Sequence, residues 1–161
     1  MSPTKMTILA LVFLGALAGV GGTARADADR ASCDFLEISA TNSKDGGIAD
    51  ELKPLQKKLK KPPFSSWNTF TLLQPPIQGV ELTLRQTATV PLKNGTAGVV
   101  LREIERPDQK KPRVVLGVTL DDADRKRVVD TKFAVDAGDF IVVGRSLPNN
   151  DGHLLAIYCR L

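Results

Sequence analysis

Regular alternation of apolar and polar residues is the feature that most constrains the fold of this chain. The segments 80–85, 114–120 and 129–135 carry largely apolar side chains at every second position. Successive side chains of a β-strand point to opposite faces of a sheet, so this spacing predicts strands with one buried face. Less regular segments that also favour strands are 34–40, 68–73, 98–104, 140–143 and 154–159. Together the patterns predict about eight strands.

Turn residues separate the predicted strands at intervals of about ten residues. They are Asn94-Gly95, Pro107-Asp108, Asp121-Asp122, Ala137-Gly138 and 149–152. Short strands joined by frequent turns are typical of antiparallel β-sandwiches and small β-barrels. We therefore predict a mainly β fold, an antiparallel sandwich or small barrel of about eight strands with one short amphipathic helix.

The predicted helix lies in the segment 48–61, where the apolar period lengthens from two residues to about 3.6. Its apolar positions share one side of a helical wheel and are Ile48, Leu52, Leu55 and Leu59. Lysines occupy the opposite side, at Lys53, Lys57, Lys58, Lys60 and Lys61. Asp50 is the predicted N-cap. Pro62-Pro63 ends the helix, because proline cannot donate the backbone hydrogen bond that would continue it.

Aromatic residues follow the predicted helix within a few positions. We assign Phe64, Trp67 and Phe70 to the entry into the next strand. The two-residue period then places Phe70 and Leu72 on one face of that strand and Trp67 on the other. The lysines and the aromatic residues therefore need not share a surface.

The first 26 residues are typical of a secretory signal peptide. Lys5 precedes an uncharged apolar run over 6–20, and the segment ends in Ala24-Arg25-Ala26. The run is shorter than the roughly 18 residues that a membrane-spanning helix needs. We expect cleavage after Ala26, or alternatively after Ala28, with no retained transmembrane helix. Residues 27–161 are then predicted to form a single β-rich domain, secreted or periplasmic.

Cys33 and Cys159 are the only cysteines in the chain and lie near opposite ends of the exported part. A pair of cysteines in an oxidising compartment favours a disulfide. Two separate buried thiols are the alternative. We predict a Cys33–Cys159 disulfide that joins the first strand to the last.

The net charge of the full chain is +4. Loss of the signal would remove two basic residues, and a net charge of about +2 gives no support for nucleic-acid binding. Local basic clusters predict instead a face for an acidic polysaccharide, lipopolysaccharide or an acidic envelope protein. The candidate anion-binding residues are Lys53, Lys57, Lys58, Lys60, Lys61, Lys110, Lys111, Arg113, Arg125, Lys126 and Arg127.

Residues with catalytic or metal-binding chemistry form no recognisable motif. His153 is the sole histidine and follows Asp151-Gly152, so we interpret it as a solvent-exposed turn residue. The acidic run 121–124 lacks the glycine and the bidentate glutamate of an EF-hand loop and is interpreted as a charged turn. No catalytic residue, cofactor or metal is therefore predicted. Carboxylates brought together from separate strands, as in a hydrolase, stay an open alternative.

Three segments carry a resemblance to known proteins: GGIADELKPLQKKLKKPPFSSWNTFTLL, KKPRVVLGVTLDD and AGDFIVVGRSLPNNDGHLLAIYCRL. In these segments the chain resembles a group of uncharacterised secreted proteins from predatory soil bacteria. The resemblance spans nearly all of the exported part and implies a bacterial envelope or periplasmic location. It implies no reaction and carries over no site residue.

These observations lead to three functional hypotheses. The first is a non-enzymatic β-sandwich that is exported and acts as an interaction or structural module of the bacterial envelope. The second is a binder of anionic polysaccharide or lipopolysaccharide that uses the basic clusters. The third is a hydrolase with carboxylates from separate strands.

Overall fold

The computed structural model describes residues 30–161, which form two β-sheets. The strands are β1 (Arg30–Thr41), β2 (Gly47–Ile48), β3 (Thr69–Leu72), β4 (Ile77–Thr83), β5 (Thr87–Leu92), β6 (Gly95–Glu105), β7 (Arg113–Asp121), β8 (Arg127–Asp136), β9 (Phe140–Ser146) and β10 (Gly152–Arg160). The predicted signal peptide and its cleavage after Ala26 or Ala28 lie outside the described residues.

The two sheets pack face to face as a β-sandwich. Sheet A has the strand order β2-β3-β1-β10-β9, with β4 also paired to β1, and sheet B has the order β5-β6-β7-β8. Neither sheet closes on itself, so the fold is the sandwich rather than the barrel of the sequence prediction. Apart from the short parallel pair of β2 and β3, the strand pairs within each sheet are antiparallel.

The space between the sheets is filled by the alternating residues that the sequence indicated. In β7, the four apolar residues from Val114 to Leu120 at every second position are buried. They meet Phe35, Leu155 and Ile157 from sheet A in one apolar cluster. The period-two pattern therefore identified the inner face of this strand correctly.

A second apolar cluster lies on the other face of sheet A, beneath a helical segment over 50–59. This segment consists of a 3-10 helix, Asp50–Leu55, and one α-helical turn, α1 (Gln56–Leu59). Leu52, Leu55 and Leu59 are fully buried there, as predicted. The 3-10 part is wound more tightly than the α-helix that the apolar period of about 3.6 residues predicts. Pro54 within it lacks the amide hydrogen that a regular α-helix uses.

The predicted N-cap at Asp50 is wrong. Ala49 is the N-cap residue, and no side chain caps the segment. The Asp50 carboxylate instead pairs with Lys53, at 2.7 Å between Oδ1 and Nζ.

The predicted orientation of Trp67 is also wrong. Trp67 and Phe70 lie in the same apolar cluster beneath the helical segment, and only 9% of Trp67 is exposed. Its indole Nε1 donates a hydrogen bond to the Asn150 carbonyl oxygen at 2.7 Å. The strand begins only at Thr69, after a 3-10 turn at Phe64–Ser66, so strand alternation does not extend back to Trp67.

Two of the strands, β2 and β5, were not predicted from the sequence. β2 has two residues, which is too short to show a period. β5 contains Pro91, which normally argues against a central strand. In the structure β5 is an edge strand of sheet B, where proline is tolerated because no further strand needs its amide.

The predicted disulfide is present and joins the first strand to the last. Cys33 and Cys159 are directly opposite each other in the antiparallel pair β1–β10, and their Cα atoms are 4.1 Å apart. Both residues are buried in the cluster between the sheets. The bond closes a loop over a sequence separation of 126 residues.

Replacing both cysteines, as in Cys33→Ala with Cys159→Ala, should lower the free energy of unfolding by up to about 5 kcal/mol. A loop of this length restricts the unfolded chain strongly, and that restriction is lost with the bond. Urea unfolding of the two proteins, followed by circular dichroism, measures the difference. A reductant should destabilise the original protein and leave the double variant unchanged. Equal midpoints for the oxidised and reduced original protein would contradict the expectation.

Candidate functional site

The basic residues predicted to bind anions are divided between the two ends of the sandwich. Lys110, Lys111 and Arg113 lie where β7 begins, whereas Arg125 and Lys126 lie in the turn that follows β7. We call the first the Asp139 end, because Asp139 in the β8–β9 turn belongs to it. The second is the His153 end. A nine-residue strand separates the two groups by roughly 27 Å, so these clusters do not form one continuous face.

The helical segment reaches the Asp139 end through Lys58. Its Nζ lies 3.1 Å from Asp139 Oδ2. Burial opposes ionisation of Asp139, but Lys58, the Phe140 amide and nearby Lys111 outweigh it and lower the pKa of the carboxyl. Lys58 and Lys111 are therefore brought to the same carboxylate, which joins two of the predicted clusters.

Several of the predicted basic residues are engaged in ion pairs. Lys53 pairs with Asp50 and Lys58 with Asp139. Arg113 pairs with Glu105 and Asp136, and Arg127 with Asp121 and Asp130. Those that form no salt bridge with any residue of 30–161 are Lys57, Lys60, Lys61, Lys110, Lys111, Arg125 and Lys126.

A cleft in the described part of the chain lies between the helical segment and the β2–β3 edge of sheet A. We call this cleft, of about 640 Å³, the helix–β2 groove. Its apolar lining comprises Ile48, Leu59, Trp67 and Phe70. Lys53, Gln56 and Lys60 line it from the helical segment, and Asp45 from the loop before β2. The groove thus combines apolar walls with basic side chains on one rim.

One wall of the groove is a strand with an unpaired edge. β2 is the outermost strand of sheet A in the described residues. The amides of Gly47 and Ala49 donate to the Asn68 and Phe70 carbonyl oxygens of the β3 side. Since amides alternate along a strand, the intervening Ile48 amide points to the open edge. An extended chain could add to this edge by backbone hydrogen bonds.

The interpretation of His153 as an exposed turn residue is wrong. Only 4% of His153 is exposed, and it belongs to β10, with its ring between the two sheets. Its Nε2 lies 2.8 Å from Oε1 of Glu37, which is 1% exposed. Gly152 begins the strand instead of extending the turn, so the following side chain points inward.

Glu37 connects sheet A to the β5–β6 turn of sheet B. Its Oε2 accepts the Lys93 amide at 2.7 Å, and its Oε1 accepts the Asn94 amide at 3.2 Å. Burial opposes ionisation of Glu37, but the bonds from His153 and the two amides outweigh it and lower the pKa of the carboxyl. An ionised carboxylate has no hydrogen to donate, so His153 Nε2 is the donor of the bond that they share.

The hydrogen bonds of Glu37 and His153 favour a structural role for this pair over a catalytic one. Each carboxylate oxygen of Glu37 already accepts a backbone hydrogen bond. The Asp122 carboxylate is similarly committed, because its Oδ1 accepts the amides of Asp124 and Lys126. Within residues 30–161, no three His, Cys, Asp or Glu side chains are placed to hold a metal ion together.

The sequence did not indicate Glu37 as a site residue. It lies within the irregular segment 34–40, 116 residues away from His153. The signal that could have drawn attention to it is a lone carboxylate between Leu36 and Ile38, in a segment otherwise rich in apolar residues. Such a residue must find a buried partner or face solvent.

Comparison with protein-family models, with curated proteins and with solved structures gives no match for this chain. Within residues 30–161, no helix is both long enough and apolar enough to cross a bilayer.

Glu37→Gln should destabilise the protein by about 2 kcal/mol at neutral pH, since the amide group would place donors opposite donors in a buried site. The folded-state pKa of Glu37 is lowered, so its ionisation stabilises the fold above the unfolded-state pKa. This contribution is lost as the pH falls through the folded-state pKa. The difference between the two proteins should therefore shrink below about pH 5.

Urea unfolding of both proteins at several pH values measures this difference. Glu103→Gln, on an exposed residue of β6, is the matched control and should leave stability nearly unchanged. A difference between the Glu37→Gln and original proteins that stays constant down to strongly acidic pH would contradict the assigned role of the carboxylate.

Proposed function

We propose that this chain is an exported, non-enzymatic interaction module of the bacterial envelope, and that it binds its partner in the helix–β2 groove. The groove is the observation that carries the proposal. Its volume of about 640 Å³ is within the range usual for ligand sites. The disulfide supports the exported location, because such bonds persist in oxidising compartments.

The partner that suits the groove best is an extended, acidic segment of an envelope protein. The unpaired edge of β2 offers backbone groups to an added strand. Apolar side chains of that segment would contact Ile48 and Trp67, while its carboxylates would lie near Lys60. Lys60 has no salt bridge to a described residue, so its charge is available to a partner.

Peptides selected on this protein from a displayed random library should be enriched in acidic residues and should bind in the groove. Gln56→Trp fills the groove from the helical segment and should weaken the selected synthetic peptides at least about tenfold. Gln86→Trp, the same change in the exposed β4–β5 turn, is the control and should bind normally. Calorimetry measures both affinities. Equal affinities for the two variants would remove the groove from the proposal.

A second candidate function is binding of anionic polysaccharide or lipopolysaccharide by the exposed lysine side of the helical segment. The observation that favours it is the set of three exposed lysines, Lys57, Lys60 and Lys61, which form no salt bridge with residues 30–161. Lys58 and Lys111, which approach Asp139, extend this positive region toward the Asp139 end.

Lys57→Glu with Lys60→Glu should reduce binding to polygalacturonate and to lipopolysaccharide, and the original affinity should fall as salt increases. Arg102→Glu with Lys132→Glu is the matched double charge reversal, on exposed residues of sheet B. Surface plasmon resonance at several salt concentrations compares the three proteins. If both double variants lose the same affinity, net charge rather than the lysine side is responsible.

A further inference from the structure

A second pocket, which we call the end pocket, lies at the His153 end of the sandwich, apart from the helix–β2 groove. Its volume is about 310 Å³, near the lower limit for small-molecule sites. Sheet A contributes Arg145, Leu147 and His153, and the turns of sheet B contribute Asn94, Asp122, Ala123 and Asp124. The pocket is thus bordered by both sheets, with polar side chains on each wall.

Arg145 is the residue whose interactions are incomplete. Its Nε is buried and has no hydrogen-bond partner. Its guanidinium also forms no salt bridge with a described residue, although Asp122 and Asp124 line the same pocket. A buried guanidinium nitrogen without a partner is unfavourable, because its N–H group loses water and gains no hydrogen bond. A carboxylate is the group that a guanidinium binds best, through two parallel hydrogen bonds.

His153 lies beside Arg145 and lines the same pocket. The two residues are directly opposite each other in the β9–β10 pair, so their side chains emerge from the same face of sheet A. Since Nε2 of His153 donates to Glu37, Nδ1 is the ring atom left for a ligand. Glu37 therefore fixes the orientation of this ring.

The opposite wall offers groups that suit hydroxyls. Asp122 uses Oδ1 for two backbone amides, which leaves Oδ2 as an acceptor. Asp124 and Asn94 are exposed at the border of the pocket and can accept further hydroxyl hydrogens. Arg125 and Lys126, in the same turn as Asp124, are exposed cations without a salt bridge to residues 30–161. They offset the two aspartates and keep the region suited to an anionic ligand.

We propose that this pocket binds a hydroxylated carboxylic acid, specifically a single uronic acid residue of an acidic polysaccharide. The carboxylate of the sugar pairs with Arg145, and a hydroxyl of the sugar donates to His153 Nδ1, the acceptor nitrogen of the ring. Other hydroxyls of the sugar donate to Asp122 and Asn94. The site differs from the groove and from the lysine side of the helical segment, so it does not depend on either proposed function.

The test is an NMR titration of isotope-labelled protein with glucuronate, glucose and acetate as separate probes. Glucuronate should shift the Arg145 side-chain Nε–H signal and the His153 ring signals, and should bind at least about tenfold more tightly than glucose or acetate. Acetate supplies only the carboxylate, and glucose only the hydroxyls. Equal affinity for glucuronate and either simpler probe would overturn the proposal, as would the absence of shifts at both residues.

Variants locate the site independently of this comparison. Arg145→Gln should lower glucuronate affinity at least about tenfold, and Arg145→Lys should lower it less, because a lysine keeps the charge without the fork of two donors. Arg102→Gln, on an exposed arginine of β6, is the matched control and should bind normally. Unchanged affinity in a folded Arg145→Gln protein would also overturn the proposal. If that variant does not fold, the NMR shifts of Arg145 and His153 in the original protein decide whether the pocket binds glucuronate.

Two further variants separate this inference from the proposed functions. Gln56→Trp in the groove and the Lys57→Glu, Lys60→Glu double variant should both bind glucuronate with unchanged affinity. Loss of glucuronate binding in either one would place the sugar elsewhere and overturn the assignment to the end pocket. A negative result in the groove or lysine experiments does not affect the interpretation of the glucuronate titration.

Discussion

The antiparallel pairing of β1 with β10 is the interaction on which the rest of this structure depends. These two strands are central in sheet A, and both are buried on their two faces. One face, with Phe35 and Ile157, supports the sandwich interior. The other, with Ile38 and Leu154, supports the cluster beneath the helical segment. Both apolar layers would lose a wall if the strands separated, and the disulfide between them opposes that separation.

Glu37 determines how the two sheets meet at the His153 end. Apolar packing between sheets is non-directional and tolerates small displacements. A buried carboxylate does not tolerate such displacements. If it loses a hydrogen bond, its oxygen stays removed from water without a partner, and the folded state is destabilised. By accepting the Lys93 and Asn94 amides, Glu37 holds a turn of sheet B against a strand of sheet A. It also orients His153, which lines the end pocket.

The predicted basic residues lie in two groups, one at each end of the sandwich, and so form distinct surfaces. The helical segment crosses sheet A and brings Lys58 to the Asp139 end, where Lys111 also lies. Arg125 and Lys126 are held at the His153 end by the turn after β7. A ligand would have to extend over the length of that strand to contact both groups. The groove, the lysine side and the end pocket are therefore separate surfaces of the protein.

The sequence by itself determined which side of the most regularly patterned elements faces inward. Val114 to Leu120 showed the inner face of β7, and three leucines showed the buried side of the helical segment, because periodicity records local geometry. The cysteine pair likewise indicated the link between β1 and β10.

Only the tertiary structure decided that His153 is buried against Glu37, that Trp67 joins the cluster of Phe70, and that Arg145 lines a pocket. These relations depend on strand order, register and the point where a strand begins, and they join residues far apart in the chain. Local periodicity contains no information about which distant element will lie opposite, so the polar contacts and the division of basic residues between two ends could not be predicted from it.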